Sequence, residues 1–276
     1  MGVTYNKENL EQKIKNFSLG KAKNLHILAD FDKTLTQSGI INGKKISSII
    51  GQLRADGYLS QNYVDESFAL YNHYGPLEHD QSISRPERLR IMEEWWIKHI
   101  ELLIKSRLNK RDMDHVVAKN HIKLRPGVSE FLKLLEKFGV PIVIMSGAPA
   151  YMIQKQLELA GLMTENVHIV ANWYKYDTEG YMIGYKTPII HSLNKYEITI
   201  REFPFFEQLK ERKNVMLLGD QIDDLGMIEG FDYDNLLTIG FANEKEDEEK
   251  YSKKFDILIT ENDNFNFINE ITKKIL

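Results

Sequence analysis

The chain contains no cysteine, which removes disulfides, thiolate metal sites and a cysteine nucleophile from consideration. It also lacks the charge imbalance that a nucleic-acid polymer demands. Its 36 Lys and Arg face 40 Asp and Glu, a formal net charge of -4, whereas proteins that neutralise polymer phosphates are strongly basic. No window approaches the roughly 20 apolar residues needed to cross a bilayer, and the N-terminal segment has no apolar run of signal-peptide length. Histidines such as His73 and His79 stand alone and read as surface or core residues, with no cluster to suggest zinc. Repeats and low-complexity linkers are absent too. The expectation is a soluble, cytoplasmic protein with neither a membrane nor a nucleic-acid polymer as partner. The sequence leaves the oligomeric state open, with a monomer as the working expectation.

What is present is enough chain for a substantial core: 276 residues, 42% of them hydrophobic, with room for a smaller second domain. Leu25 to Asp32 is a short apolar run ending in acids, the pattern of a strand buried on both faces of a parallel sheet. Similar runs recur at Val140 to Ser146, Val167 to Asn172, Asn214 to Asp220, Asn235 to Phe241 and Phe255 to Thr260. Helical patterns separate most of them, among them Arg125 to Gly139. Strands alternating with helices predict an α/β fold with a doubly wound parallel sheet, whose ligands bind beyond the carboxyl ends of the strands.

Between the first strand and the helix near Arg125 the periodicity is helical throughout. This predicts an inserted helical cap over residues 41–115, with residues 1–40 and 116–276 forming the α/β core. Ser84, Pro86 and Glu87 spell a helix start with a capping-box acid, and Ser60 marks a second start. The acidic run Glu244 to Lys250 reads as a solvated helix face.

Chemistry concentrates at the predicted strand ends. Asp30 and Asp32 lie two residues apart, so on an extended chain both side chains point the same way and can face one phosphate. Strand ends are often acidic merely because they reach solvent, so this pair alone decides nothing. Ser146 ends a second apolar run, Lys195 follows later, and Gly219-Asp220 with Asp224 ends a third. Taken singly, a serine at a strand end is more often a helix cap and a lone lysine is usually solvated.

In that order and strand context, these residues resemble the four motifs of the haloacid dehalogenase (HAD) superfamily. The resemblance narrows to the pyrimidine 5'-nucleotidase family, also called cytosolic 5'-nucleotidase III. It rests on Asn166-Val167, the glycine-bearing hairpin Asp177 to Lys186, Ile190-His191-Ser192-Leu193-Asn194-Lys195 and Leu217-Leu218-Gly219-Asp220. In the cap it rests on Leu77-Glu78-His79-Asp80 and Met92 to Lys98. Two departures stand out: Ser146-Gly147-Ala148 replaces the family's Ser-Ala-Gly, and His99 aligns with a substrate-contacting serine.

The resemblance implies a HAD-like Rossmannoid core with a helical cap and hydrolysis of nucleoside 5'-monophosphates, with CMP and UMP the expected substrates. It implies Asp30 as nucleophile, Asp32 as general acid and base, and Lys195 as the cation on the transferring phosphate. It also implies Mg²⁺ on the Asp30 and Asp220 side chains and the Asp32 carbonyl, with Asp224 placed at the metal to orient a bound water or Lys195. Ser146 and the Gly147 backbone would cradle phosphate, and Glu78 and His99 would reach the substrate from the cap. Trp95, Trp96 and Asp223 stay open, Asp223 reading more readily as an acid at a helix N-terminus. Another small phosphoester, such as a sugar phosphate, is the alternative substrate, since the core motifs leave the leaving group undefined. A non-enzymatic nucleotide-binding protein would not need Asp30, Asp32, Lys195 and Asp220 together.

Overall fold

The computed structural model describes residues 2–41, 44–55, 57–78, 80, 82–119, 121–196, 200–201, 203–230, 232–260 and 264–276. His79 lies outside them. The chain runs through β1 (Val3–Tyr5), α1 (Lys7–Asn24), β2 (Leu25–Ala29), β3 (Ile40–Ile41), β4 (Lys44–Lys45), α2 (Gln52–Ala55), α3 (Gln61–Glu78), α4 (Arg85–Lys105), α5 (Lys110–Ala118) and α6 (Val128–Lys137). It continues through β5 (Ile142–Pro149), α7 (Ala150–Leu159), β6 (Val167–Asn172), β7 (Tyr174–Tyr176), β8 (Met182–Tyr185), α8 (Phe206–Leu209), β9 (Asn214–Gly219), β10 (Asn235–Phe241), α9 (Glu248–Ser252), β11 (Ile257–Ile259) and α10 (Asn266–Ile275).

The main sheet has the order β1-β11-β10-β9-β2-β5-β6. Its strands run parallel except β1, which joins the β11 edge antiparallel. All five residues of β2 are buried, as are all six of β9, because helices cover both faces of a parallel sheet and every side chain must be apolar or partnered. Those helices show the matching stripes. Val128, Phe131, Leu132 and Leu135 are buried on α6, and Ile268, Ile271, Thr272 and Ile275 on α10, the i, i+3, i+4, i+7 spacing of one helix face.

The register places the chemistry. Ala29 pairs with Leu218 of β9 and with Ile144 of β5, so the pairing of β2 with both neighbours ends at one edge. There Asp30, Ser146 and Asp220 follow within one or two residues. Connections depart in opposite directions on either side of β2, and such a switch point leaves a crevice at the strand ends.

Each expected strand is present, Val167–Asn172 and Asn235–Phe241 with the expected limits and the other four with shifted ones. The second begins at Ile142, not Val140, and continues past Ser146 to Pro149. The edge strand β1 was not expected: Val3–Tyr5 is partly exposed and forms no apolar run. Over 41–115 the described regular elements are helices joined by loops, apart from the short β3–β4 pair at the start. The expected limit at 115 falls inside α5. At α4, Ser84 does occupy the N-cap but makes no side-chain cap bond, and Glu87 pairs with Arg90 instead at 2.7 Å. Ser60 behaves as expected, its hydroxyl accepting the Tyr63 N–H at 3.3 Å.

Candidate active site

Asp30 is the first residue past β2, its N–H bound to the Leu218 carbonyl at 3.0 Å and only 4% of its surface exposed. The chain then turns sharply, with Lys33 in the left-handed region at φ 62°. That turn is clamped from outside. Arg125, 2% exposed, donates to the Thr34 carbonyl at 2.9 Å, the Lys33 carbonyl at 2.5 Å and Asn243 Oδ1 at 2.6 Å. The Asn243 amide donates in turn to the Lys33 carbonyl at 3.3 Å and to Asp220 Oδ2 at 3.4 Å.

Lys195 ties the acids together. Its amine donates to Asp30 Oδ1 and, at 3.0 Å, to Asp224 Oδ1. Asp224, 2% exposed, accepts the N–H groups of Asp220 and Gln221 on its other oxygen at 3.1 and 3.0 Å. Gly219 makes this approach possible, because a Cβ there would stand 2.4 Å from the Asp224 Cβ. A motif read as a strand ending in Gly-Asp is thus also a packing requirement.

Carboxylate oxygens of Asp30, Asp220 and Asp224 lie within 4.8 Å of one another. Burial pushes the Asp30 carboxyl well above the usual range against the pull of Lys195, with Asp224 and Asp220 adding to the rise. Asp220 is pushed up to about 7 by burial and by the Asp224 charge. Burial opposes the charge on Lys195, but Asp224 and Asp30 outweigh it and hold the amine protonated. One ammonium shared by two of three close carboxylates leaves an excess of buried negative charge, and all the donors are oxygen. A hard divalent cation such as Mg²⁺ fits that set.

Asp32 does not join the cluster. Its Oδ1 accepts the Ile49 N–H at 2.9 Å, and burial, opposed by that bond, raises its carboxyl to about 6. Ser146 lies on β5 two residues beyond the Ile144–Ala29 pairing, with its hydroxyl accepting the Ala148 N–H at 3.1 Å. The Gly147 carbonyl accepts from Trp96 Nε1 at 3.2 Å and from the Asn172 amide at 2.7 Å. A Cβ on Gly147 would meet the Trp96 ring at 3.3 Å. An alanine at Gly147 would therefore press on the indole that α4 docks here.

Asp30, Asp32, Ser146, Gly147, Lys195, Asp220, Glu78 and His99 all line one cavity of about 480 Å³. Asp224 stands behind Lys195. Trp95 and Trp96 both line the cavity and Asp223 does not; Asp223 sits instead in the first turn of the 3₁₀ segment Ile222–Ile228. His99, half-buried, faces the Tyr63 hydroxyl at 3.2 Å, and burial, then the nearby Arg54 charge, lowers its pKa to about 4. Phe68, Tyr71 and Arg54 complete the cap-side wall, with the Arg54 guanidinium 5.5 and 5.4 Å from the two ring centres. Sequence reasoning missed Arg125, Asn243, Arg54 and Ser192, whose buried hydroxyl has no hydrogen-bond partner among the described residues and borders the cavity. Asn243 had a usable signal, since it follows the carboxyl end of β10, the same sheet edge as Asp220.

The sequence profile of the pyrimidine 5'-nucleotidase (UMPH-1) family matches residues 33–276. The chain belongs to this family. Among its relatives, the 7-methylguanosine phosphate-specific 5'-nucleotidase of Homo sapiens is 32% identical over 260 residues, 93% of this chain and 86% of that one. A crystal structure of cytosolic 5'-nucleotidase IIIB bound to cytidine superposes with a TM-score of 0.90 at 25% identity, covering 99% of this chain and 93% of that one. A substrate-bound phosphoserine phosphatase shares the fold, with a TM-score of 0.56 at 21% identity over 93% of this chain and all of that one. The chain is a HAD-type 5'-nucleotidase. The family profile begins after Asp30 and Asp32, whereas the superposition on cytosolic 5'-nucleotidase IIIB, which covers 99% of this chain, extends over the end of β2 where those two stand. Among the described residues no helix is long and apolar enough to cross a membrane.

Proposed function

We propose that the chain hydrolyses pyrimidine nucleoside 5'-monophosphates, CMP and UMP, to nucleoside and phosphate through an aspartyl-phosphate on Asp30. The observation that carries this reading is the buried Asp30–Lys195–Asp224 group opening, with Asp32, Ser146 and Asp220, onto a cavity whose far wall holds aromatic rings and Glu78. Mg²⁺ would be held by the Asp30 and Asp220 side chains and the Asp32 carbonyl, with Asp224 beside it, and supplies the charge neutralisation that lets a carboxylate approach a phosphate dianion.

The chain's own residues do the rest. An Asp30 oxygen attacks phosphorus as the bond to the ribose oxygen breaks. Asp32, raised to about 6 by burial, is suited to deliver a proton to that oxygen near neutral pH. Lys195 stays cationic between Asp30 and Asp224 and neutralises a phosphate oxygen as charge moves. The Ser146 hydroxyl and the amides after it hold another. Asp32, now a base, takes a proton from water, whose oxygen attacks phosphorus and releases phosphate, restoring Asp30.

Residues 1–40 and 116–276 are assigned to catalysis and 41–115 to a cap that covers the substrate and excludes water. Both walls come from one chain, so a monomer suffices, and the cytoplasm is the proposed compartment. A second reading has its own support: Phe68, Tyr71 and Trp95 offer aromatic faces to a 7-methylguanosine monophosphate, the specificity named for the Homo sapiens relative. Phosphate release from CMP, UMP, GMP, 7-methyl-GMP and a sugar phosphate, each with Mg²⁺, separates the readings. Highest kcat/KM for CMP or UMP is expected; highest for the sugar phosphate would overturn the nucleotide assignment.

A further inference from the structure

Arg54 is the one cation on the cap side of the cavity among the described residues that line it. It stands on the four-residue α2, half-buried, with its guanidinium across the faces of Phe68 and Tyr71. Its backbone N–H bonds the Gly51 carbonyl at 3.2 Å, but among the described residues no carboxylate or carbonyl group accepts from the guanidinium. Phe68 and Tyr71 are 48% and 50% exposed, so the rings that could receive a cationic base are open to the cavity and already carry a protein cation. A ring face attracts one cation by its quadrupole, and a second cation nearby is repelled by the first.

We infer that Arg54 is a specificity residue that screens the substrate base by charge, admitting neutral bases and disfavouring the cationic 7-methylguanine ring. This rests on the nucleotidase reading above. Glu78 in the same cavity pulls the opposite way, since an ionised carboxylate favours a cationic base, and Arg54 offsets it. Two unit charges about 6 Å apart in a half-buried cleft repel enough to change a rate ratio by about tenfold.

GMP and 7-methyl-GMP are the probes, because they differ by a methyl group and a charge while phosphate and ribose stay the same. Their kcat/KM ratio is measured at mildly acidic pH, where the methylated ring is cationic, for wild type, Arg54→Met, Arg54→Gln and Arg54→Lys. Both neutral variants should shift the ratio about tenfold towards 7-methyl-GMP, while Arg54→Lys, which keeps the charge, should stay within about twofold of wild type. The glutamine variant covers the case in which the methionine variant folds poorly. An unmoved ratio in the neutral variants overturns the inference, and so does an equal shift in the lysine variant, which would assign Arg54 a purely steric role. If wild type cleaves a sugar phosphate but no nucleotide, the nucleotidase reading fails and the inference falls with it. If wild type cleaves nucleotides and the ratio does not move, only the inference fails.

Discussion

The two walls of the cavity are built differently. On the core side, Asp30, Lys195, Ser146 and Asp224 are each at most 7% exposed, and strand ends, backbone N–H groups and the Arg125–Asn243 clamp fix them. On the cap side, Phe68 and Tyr71 are about half exposed, and Glu78, Arg54 and His99 stand on helices that meet the core through Trp96 and the Gly147 carbonyl. Phosphoryl transfer needs groups preset to a fraction of an ångström, which strand ends in a buried sheet provide. Discriminating one base from another needs only a few kcal/mol, and adjustable side chains on a movable element can supply it. Damage to the core wall should therefore remove chemistry for every substrate, whereas changes to the cap wall should alter which substrate is preferred.

The largest effect is expected at Asp30, the proposed nucleophile. Asp30→Asn should cut turnover by more than about 10⁴-fold for CMP and UMP alike, because an amide neither forms an acyl-phosphate nor binds Mg²⁺ well. Steady-state phosphate release checks this, with circular dichroism to establish folding; turnover within tenfold of wild type would remove Asp30 from the mechanism. Asp32→Asn comes next, with a loss on the order of 10² to 10⁴-fold. The loss should be greatest for alkyl leaving groups, which need the proton, and smaller for an aryl phosphate. An unchanged rate with an alkyl phosphate would assign the proton to another group.

The core wall was also the more legible in the sequence. Continuous apolar runs mark strands buried on both faces, and the edge rule for parallel sheets then points to Asp30, Ser146 and Asp220. Lys195 sits in a segment without regular structure, and it was found through its resemblance to a known motif, not through periodicity. Arg125 and Asn243 escaped because a single arginine or asparagine carries no local pattern. Their role exists only once residues 118 positions apart meet at 2.6 Å. Cap residues were harder still. Ser84 marked a helix start correctly while its expected bonds did not form, since Arg90 offered Glu87 a charged partner. Arg54 lies in a four-residue helix too short for any periodic signal.

Two histidines extend the comparison to stability. His26 in β2 is 1% exposed, its Nδ1–H donating to the Arg212 carbonyl at 2.8 Å, and burial lowers its pKa from 6.5 to about 4. The unfolded chain then takes up a proton below about pH 6.5 that the folded chain refuses. Stability should be full above that pH, fall as pH drops towards 4 and level off below, a loss of about 3 kcal/mol from this residue. His99 is lowered to about 4 as well, but it is half-buried beside the cavity and solvent discounts its share. Urea unfolding of wild type, His26→Asn and His99→Asn between pH 7 and pH 4 should show the acid loss flattened more by the first substitution than by the second. Equal flattening would mean that the cap side is as closed to water as the sheet.

The smallest effect concerns Glu78, and it asks whether the cap wall reads the base at all. An ionised carboxylate only accepts hydrogen bonds. Cytosine presents an exocyclic amino donor where uracil presents a carbonyl acceptor, so Glu78 should favour CMP over UMP. Glu78→Gln offers both a donor and an acceptor and should narrow the CMP to UMP ratio of kcat/KM severalfold, with little change in the rate of their sum. The substitution keeps length and shape, and the Glu78 backbone carbonyl that anchors Arg88 at 3.1 Å is untouched, so loss of fold is not a competing cause. If wild type and variant give identical ratios, Glu78 borders the cavity without touching the base, and base selection must lie with the aromatic rings and Arg54 instead.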